Sequence, residues 1–372
     1  MHFYWLSYFV SFLPSLPFLP APATIIFMDA FFVQWHITDL CNLRCRHCYQ
    51  DDFSPKRDLD YNGLKKIAEN LLASIGGWDR KACLHLTGGE PLLKPELFPL
   101  LGDLDRDPVV EEMGIITNGV LLDPPMVERL SAYPKLKKIK ISLEGPDANT
   151  NDSIRPVGTF HRVEKGVSAV NNGRFEVILM ITVMKRNYQC LPSYLRLAKD
   201  WGVRSVIIER FIPLGKGREI QDEVLSREQW QHLVNSLYAF LDLEMEEKGI
   251  FPYQAFQIEF QGKNMELLGA PCVLGTEGLC VMPEGTVFPC RRFPHPIGNL
   301  MEDSLKIIWE KSEVLQKLRK KTNLKGKCGS CPILECTGCR SLAYALTGDF
   351  LAEDPHCWFE PSSLLQALSK ID

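Results

Sequence analysis

Short apolar runs alternate with helix-periodic stretches from about residue 31 to residue 211. The first stretch repeats apolar side chains at the spacing of one helix face: Leu64, Ile67, Ala68, Leu71, Leu72 and Ile75. Further helices are expected at about 94–104, 123–132, 162–172 and 188–201. Six runs are typical of strands: 31–38, 82–87, 112–117, 138–143, 175–183 and 205–211. This alternation predicts an α/β fold with a parallel sheet, open or barrel-shaped, that binds ligands at the carboxyl ends of its strands.

The pattern divides the chain into five segments. They are an apolar leader (1–28), a core domain (29–215), a helical linker (216–270), a cysteine-rich second domain (271–360) and a terminal helix (361–372). Within the linker, a helix is predicted to begin at Ser226, where Gln229 completes a capping box, and to continue to about Glu247. The leader has no Lys or Arg and several prolines, so we expect a disordered segment or an over-extended start.

Composition narrows the class of protein. The net charge of −4 gives no global basic field that would attract nucleic acid, and no apolar segment has the length of a membrane span. The thirteen cysteines must form disulfides, bind metals or remain as buried thiols. Because no export signal precedes them, we expect a cytoplasmic, reducing location, where clustered cysteines indicate metal binding.

The first cysteine group directly follows the first strand. Cys41, Cys45 and Cys48 have the spacing C-x3-C-x2-C. Three thiolates on one tight loop can bind three corners of a [4Fe–4S] cube and leave the fourth iron open to a ligand. The alternative is a zinc site completed by His47 or a distant residue, although zinc loops usually contain C-x2-C pairs.

The segment CNLRCRHC (41–48) resembles the defining loop of the radical S-adenosylmethionine (SAM) enzymes. This resemblance implies a partial (β/α)6 TIM-like barrel and a catalytic [4Fe–4S] cluster on Cys41, Cys45 and Cys48. The open iron of that cluster is expected to bind the amino and carboxylate groups of SAM. Electron transfer to SAM then yields a 5′-deoxyadenosyl radical, which abstracts a hydrogen atom from the substrate.

Further motifs at the strand ends match this family and are implied to contact SAM. The GGEP motif follows the second strand, an asparagine follows the third, and a Ser and a Glu end the fourth, before an arginine suited to the SAM carboxylate. These residues are Gly88, Gly89, Glu90, Pro91, Asn118, Ser142, Glu144 and Arg155. The family more often has Asp where Glu144 stands, and Arg155 could instead be a surface residue. Weaker candidates for the cofactor pocket are Asn187, Ile212 and Pro213.

A second group of eight cysteines lies in the C-terminal third: Cys272, Cys280, Cys290, Cys328, Cys331, Cys336, Cys339 and Cys357. Eight thiolates can fully ligate two [4Fe–4S] clusters. The region resembles the SPASM domain, which carries auxiliary iron–sulfur clusters. The resemblance implies one cluster on Cys272, Cys280, Cys290 and Cys339 and another on Cys328, Cys331, Cys336 and Cys357. A zinc ribbon on Cys328, Cys331, Cys336 and Cys339 is the alternative.

The remaining cysteines, Cys83 and Cys190, are interpreted as buried thiols. The family resemblance implies an electron donor such as flavodoxin or ferredoxin. It favours oxidative modification of a peptide or protein as the activity, although Arg291 stands where sulfatase maturases carry an acidic residue. The alternative is remodelling of a tetrapyrrole side chain in heme or heme d1 synthesis, since 339–357 resembles that branch and Arg291 and Arg292 could bind carboxylates. The preferred interpretation of these two arginines, however, is that they offset the negative charge of the thiolate-rich cluster beside Cys290. A non-catalytic zinc or electron-transfer protein is a third hypothesis.

Overall fold

The computed structural model describes residues 30–242, 255–262, 264–270, 272–333 and 336–359. Six parallel strands form the core, at positions close to the predicted ones. They are β1 (Ala30–His36), β2 (Lys81–Thr87), β3 (Val110–Thr117), β4 (Leu136–Ser142), β5 (Glu176–Val183) and β6 (Ser205–Arg210). Each pairs with the next in parallel, in the order β1 to β6. The sheet is the partial barrel that the sequence predicted.

Helices connect successive strands and cover the outer face of the sheet. They are α1 (Tyr61–Gly77), α2 (Leu97–Arg106), α3 (Pro124–Ser131), α4 (Ala148–Asp152), α5 (Thr159–Val170) and α6 (Leu191–Asp200). The carboxylates of Asp60, Asp123 and Asp147 cap the first turns of α1, α3 and α4. All six apolar positions predicted for one face of the first helix are buried. The helices therefore hold the strand ends, and the loops that follow them, in fixed positions.

The segment predicted as a helical linker, 216–270, is only partly helical. After α7 (Arg227–Phe240), which begins with the predicted capping box, come β7 (Ala255–Gln261) and β8 (Asn264–Ala270). This hairpin pairs antiparallel with β6. Its first strand alternates buried Phe256 and Ile258 with more exposed polar neighbours, which is the period of a half-buried strand. The prediction of helix up to Glu247 lies partly outside the described residues.

The C-terminal region is built from short elements. They are β9 (Gly278–Val281), β10 (Thr286–Phe288), β11 (Gly298–Asn299), α8 (Leu305–Lys311), α9 (Glu313–Arg319), α10 (Gly326–Ser330) and α11 (Arg340–Thr347). Strand β9 pairs in parallel with β1, so this region extends the barrel sheet. The ring of Trp309 packs edge-on to that of Phe31, with centroids 4.9 Å apart. The predicted leader, 1–28, and terminal helix, 361–372, lie outside the described residues.

Candidate active site

An open cavity of about 920 Å³ lies at the carboxyl ends of the barrel strands. Its wall includes most of the residues predicted to hold a cluster or SAM: Cys41, Cys45, Cys48, Gly88, Gly89, Asn118, Ser142, Glu144 and Arg155. Glu90, Pro91 and Asn187 are not among the residues that line it. Ile212 lines the cavity at the end of β6. The fold thus brings together residues separated by more than a hundred positions.

The cysteine loop is anchored to the barrel by backbone contacts. The amide of Arg46 donates to the carbonyl of Ile154 at 2.9 Å, and the amide of Leu43 donates to Cys41 Sγ at 3.4 Å. Burial raises the pKa of the Cys45 thiol to about 11, so iron must displace a proton to bind it. No three donor side chains in the described ranges meet at the spacing that a single metal ion needs. A four-iron cluster binds each thiolate at a separate iron, and three thiols around one cavity fit that arrangement.

Gly88 and Gly89 allow two backbone segments to touch. A Cβ on Gly88 would lie 2.5 Å from the carbonyl oxygen of Thr38, and one on Gly89 would collide with that of Leu40. The amide of Gly89 donates to Thr38 at 2.7 Å. Glycine is therefore required here because the GGEP turn packs against the chain that leads into the cysteine loop.

Glu90 is buried beneath this turn rather than in the cavity. Its carboxylate accepts hydrogen bonds from the Thr117 hydroxyl and the Asn118 amide, both at 2.8 Å. Burial raises its pKa to about 7, although these donors oppose the shift. Glu90 thus joins the end of β2 to the end of β3 and positions Asn118, whose side chain lines the cavity.

Glu144 and Arg155 form a buried ion pair in the cavity wall. Arg155 Nη2 lies 2.7 Å from Glu144 Oε1, and His47 Nε2 lies 3.2 Å from the same oxygen. Burial favours the neutral acid, but His47 and Arg155 outweigh it and lower the pKa of Glu144 to about 2. The Nε of Arg155 is buried and has no hydrogen-bond partner within the described residues. Arg155 is therefore not a surface arginine, and it retains a free donor suited to a carboxylate.

A hydrogen bond between Tyr49 and His36, beside the cluster loop, was not predicted from the sequence. The Tyr49 hydroxyl lies 3.0 Å from His36 Nδ1, and His36 Nε2 lies 3.2 Å from Asp39 Oδ1. Tyr49 lines the cavity, whereas His36 is fully buried in β1. A single histidine in an apolar strand gives no sequence signal of this contact. The position of Tyr49 directly after Cys48 was the available clue.

The two adjacent arginines of the C-terminal region have different environments. The Arg291 guanidinium lies 4.8 Å from the centre of the Tyr49 ring, and its Nη1 reaches the Thr87 hydroxyl at 3.4 Å. Its Nε is buried and unpartnered in the described structure, and no carboxylate there forms an ion pair with it. Arg292 instead pairs with Glu209 at 3.0 Å. Arg291 is thus an arginine at the cavity without a carboxylate partner in the described structure, and its charge opposes the rise in the pKa of the Cys48 and Cys280 thiols.

A second cavity, of about 360 Å³, contains four cysteines of the C-terminal region. They are Cys328, Cys331, Cys336 and Cys357, the set implied for one auxiliary cluster. Cys339, which the zinc-ribbon alternative requires, does not line this cavity. Burial raises the pKa of Cys272 to about 12, and the neighbouring Cys290 and Cys339 thiolates add to the shift. The Cys272, Cys290 and Cys339 thiols of the other implied set are therefore close enough to interact, and Cys280 interacts in the same way with Cys290.

Cys83 and Cys190 lie away from both cavities. Cys83 is buried in β2, as predicted, and Cys190 is half-buried, with its thiol donating to the Asn187 carbonyl at 2.8 Å. Asn187 bonds to the carbonyls of Glu144 and Thr182, both at 3.0 Å. Its role is thus to fix the loop that carries Glu144.

Sequence comparisons agree with these two groups of cysteines. The model of the radical SAM superfamily matches residues 35–198, and the model of an iron–sulfur cluster-binding domain, SPASM, matches residues 272–332. The chain belongs to the radical SAM superfamily, and it is an enzyme that uses SAM and [4Fe–4S] clusters.

Individual relatives are similar to this chain over most of its length. The chain is 34% identical over 349 residues to the AdoMet-dependent heme synthase of Methanosarcina barkeri, covering 88% of this chain and 96% of the relative. It is 27% identical to the mycofactocin maturase MftC of Mycolicibacterium smegmatis, over 88% of this chain and 83% of the relative. The structure of Streptococcus suis SuiB bound to the precursor peptide SuiA has the same fold, with a TM-score of 0.67 and 16% identity over 89% of this chain and 76% of SuiB. None of the described helices is long and apolar enough to cross a bilayer.

Proposed function

We propose that this enzyme oxidises carboxylate side chains of a tetrapyrrole in the formation of heme. The observation that carries the proposal is Arg291, a cation at the cavity whose described partners are only a hydroxyl and an aromatic ring. Arg291 is half-buried and has no carboxylate partner in the described structure, and such a guanidinium favours an anionic ligand, because a carboxylate can accept two of its hydrogen bonds. The similarity to a heme synthase over nearly the whole of both chains supports the same substrate class.

The residues of the barrel have separate tasks in this proposal. Cys41, Cys45 and Cys48 hold the catalytic cluster. Arg155 keeps Glu144 ionised, and its guanidinium would bind the carboxylate of SAM, while Asn118 and Ser142 offer polar contacts along the same wall. When bound, the cluster and SAM supply a 5′-deoxyadenosyl radical that removes a hydrogen atom from a substrate carbon. Gly88 and Gly89 keep the cysteine loop and the SAM wall in contact.

The substrate chemistry explains the second group of cysteines. A propionate side chain becomes a vinyl group by losing one hydrogen atom, one carbon dioxide and one electron. Arg291 orients the carboxylate that leaves. Two auxiliary clusters would be held by Cys272, Cys280, Cys290 and Cys339 and by Cys328, Cys331, Cys336 and Cys357, and they would supply an acceptor for the electron. Arg292 and Glu209, which are paired, position the first of these sites beside the cavity. A reducing, cytoplasmic location is part of the proposal, because the thirteen cysteines are free thiols.

The test is anaerobic turnover with SAM, a low-potential reductant and an iron porphyrin that carries a propionate on every pyrrole ring. We expect vinyl-containing heme, carbon dioxide, methionine and 5′-deoxyadenosine, identified by mass spectrometry. In Arg291→Gln, 5′-deoxyadenosine should still form without substrate, while porphyrin oxidation falls. Cleavage of SAM with no change to any porphyrin would contradict the proposal.

The second candidate is oxidation of a peptide, which the sequence analysis placed first. The similarity to a mycofactocin maturase favours it, at lower identity than the similarity to the heme synthase. In the same assay, a precursor peptide encoded beside the gene would lose hydrogen or carbon dioxide. Modification of that peptide, with the porphyrin unchanged, would select this alternative. A flavodoxin or ferredoxin is the proposed electron donor in either case.

A further inference from the structure

A concentration of positive charge lies beside the second cysteine cavity. Six of the eleven residues from Lys317 to Lys327 are Lys or Arg, and none is acidic. The whole chain has a net charge of −4, so this segment is a local exception. We call four of its side chains the basic rim: Lys317, Arg319, Lys320 and Lys321.

The charges of the basic rim are not neutralised by carboxylates. Lys317, Arg319 and Lys320 are exposed, and none of the four forms an ion pair within the described ranges. Arg319 donates to the carbonyls of Gly275 and Trp309, at 2.7 and 2.9 Å. These are neutral acceptors, so the surface retains its positive charge.

The basic rim is attached to the wall of the second cavity. Lys321 donates to the Ile333 carbonyl and, at 2.9 Å, to the carbonyl of Cys336, whose thiol lines that cavity. Cys331, Cys336 and Cys357 are only half-buried. A cluster on these cysteines would therefore lie close to a cationic surface of the protein.

The interior of the second cavity is suited to hold an added electron. Arg340 is 1% exposed, its Nη2 lies 3.7 Å from Cys328 Sγ, and its Nη1 donates to the Phe350 carbonyl at 3.1 Å. In the described structure it forms no ion pair with a carboxylate. A buried cation needs a counter-charge, which an anionic cluster on four thiolates provides. Positive charge beside the cluster also favours its reduced form.

We propose that the basic rim docks an acidic one-electron carrier protein, with a flavin or iron–sulfur group, that takes an electron from the cluster of the second cavity. The inference rests on the proposed function only in needing an electron to leave the substrate. The cluster loses one electron, and the carrier gains it together with any proton that its group takes from water. Opposite charges on the two surfaces accelerate their encounter.

The test follows electron transfer directly, without substrate. The parent protein is the full chain with Cys41→Ala, Cys45→Ala and Cys48→Ala, which retains only the auxiliary clusters. This protein is reduced, separated from the reductant and mixed in a stopped-flow instrument with oxidised flavodoxin, an acidic flavin protein. In this background Lys317→Glu with Lys320→Glu should lower the second-order rate constant at least about tenfold at low ionic strength, and added salt should narrow the difference. Lys137→Glu with Lys165→Glu changes the net charge equally at exposed sites elsewhere and should leave the rate near that of the parent.

Each outcome decides the proposal. The proposal is overturned if Lys317→Glu with Lys320→Glu leaves the rate constant unchanged, or if Lys137→Glu with Lys165→Glu lowers it equally. Adding Cys331→Ala must remove the electron transfer; if the rate persists, the electron leaves by another cluster and the proposal is wrong. If the variant with Lys317→Glu and Lys320→Glu binds less iron than the parent, Lys317→Ala with Lys320→Ala is tested instead, and the rate constant should fall about threefold. Because no porphyrin is present, failure of porphyrin oxidation does not affect this result.

Discussion

The two cysteine cavities differ in the residues that they offer for binding iron. The barrel cavity is open, has a volume of about 920 Å³, takes three thiols from a single loop and pairs its buried arginine, Arg155, with Glu144. The second cavity takes three thiols from residues 328–336 and a fourth from Cys357, and its volume is about 360 Å³. Its buried arginine, Arg340, bonds to a thiol and to backbone carbonyls.

This difference separates a site with room for a ligand from a closed one. Three thiols in a large cavity leave an iron and the surrounding space for SAM, whereas four thiols in a small cavity complete a cluster and leave nothing open. The charges follow the same division. In the barrel cavity, Arg155 has a carboxylate partner before a cofactor binds, whereas Arg340 beside the second cavity forms no ion pair within the described residues, and an anionic cluster would supply its counter-charge.

Removing one thiol from each cavity tests whether the two groups of cysteines have separate roles. Cys45→Ala should abolish SAM cleavage, with a loss of at least about a thousandfold, because an iron of the catalytic cluster loses its ligand. Cys331→Ala should retain the release of 5′-deoxyadenosine while product formation fails. Chromatographic measurement of 5′-deoxyadenosine, together with iron and sulfide content, checks both. Equal losses of SAM cleavage in the two proteins would show that the cavities are not separate in role.

Replacing the two buried arginines sharpens the contrast in charge. In iron-free protein, Arg155→Met should cost about 3–5 kcal/mol of unfolding free energy, because Glu144 loses its partner. Arg340→Met should change it by less than about 1 kcal/mol, because relief of a buried unpaired cation offsets the loss of two carbonyl contacts. Anaerobic denaturant unfolding measures both. A large cost in the second variant would mean that Arg340 has a counter-charge without iron.

Replacing the adjacent arginines in the wall of the barrel cavity, Arg291 and Arg292, should have an intermediate effect. Arg291→Gln should raise KM for the anionic substrate about 10- to 100-fold, which corresponds to one lost charge-assisted contact of about 1.5–3 kcal/mol. Iron content should stay unchanged. Arg292→Gln should instead lower iron content, since it leaves Glu209 unpaired beside the first auxiliary site. If the two substitutions raise KM equally, the assignment of Arg291 to the substrate fails.

Tyr49→Phe should have the smallest effect on KM among these substitutions. It removes the hydrogen bond to His36 but keeps the ring beside Arg291, so we expect a two- to fivefold rise in KM from about 0.5–1 kcal/mol. Steady-state kinetics and SAM binding measure the effect. Tyr49→Leu, which also removes the ring, should have the larger effect; a reversed order would indicate that the ring does not position Arg291.

Much of the barrel was predictable from local patterns. The strand predicted at 82–87 is observed as β2, Lys81–Thr87, and the one at 138–143 as β4, Leu136–Ser142. Buried parallel strands are continuous apolar runs, which single-sequence reasoning detects. The hairpin of β7 and β8 was missed because its position is decided by pairing with β6 rather than by its own sequence.

The site was predictable only where residue type and spacing specify the chemistry. The cysteine motif predicted the thiols that line both cavities, whereas the burial of Arg155 depends on the distant Glu144 and His47. Arg291 and Arg292 are neighbours in the chain and could not be distinguished. Their difference arises from Tyr49 and Glu209, which only the folded structure places beside them.

The parallel pairing of β9 with β1 has a consequence for synthesis of the protein. Strand β1 begins at Ala30, yet its neighbour on one side, Gly278–Val281, is made almost 250 residues later. Until then, a nascent barrel carries an open sheet edge, which is prone to pair with other chains. We therefore expect fragments that end before residue 272 to aggregate, and productive assembly to depend on chaperones that shield this edge until translation is complete.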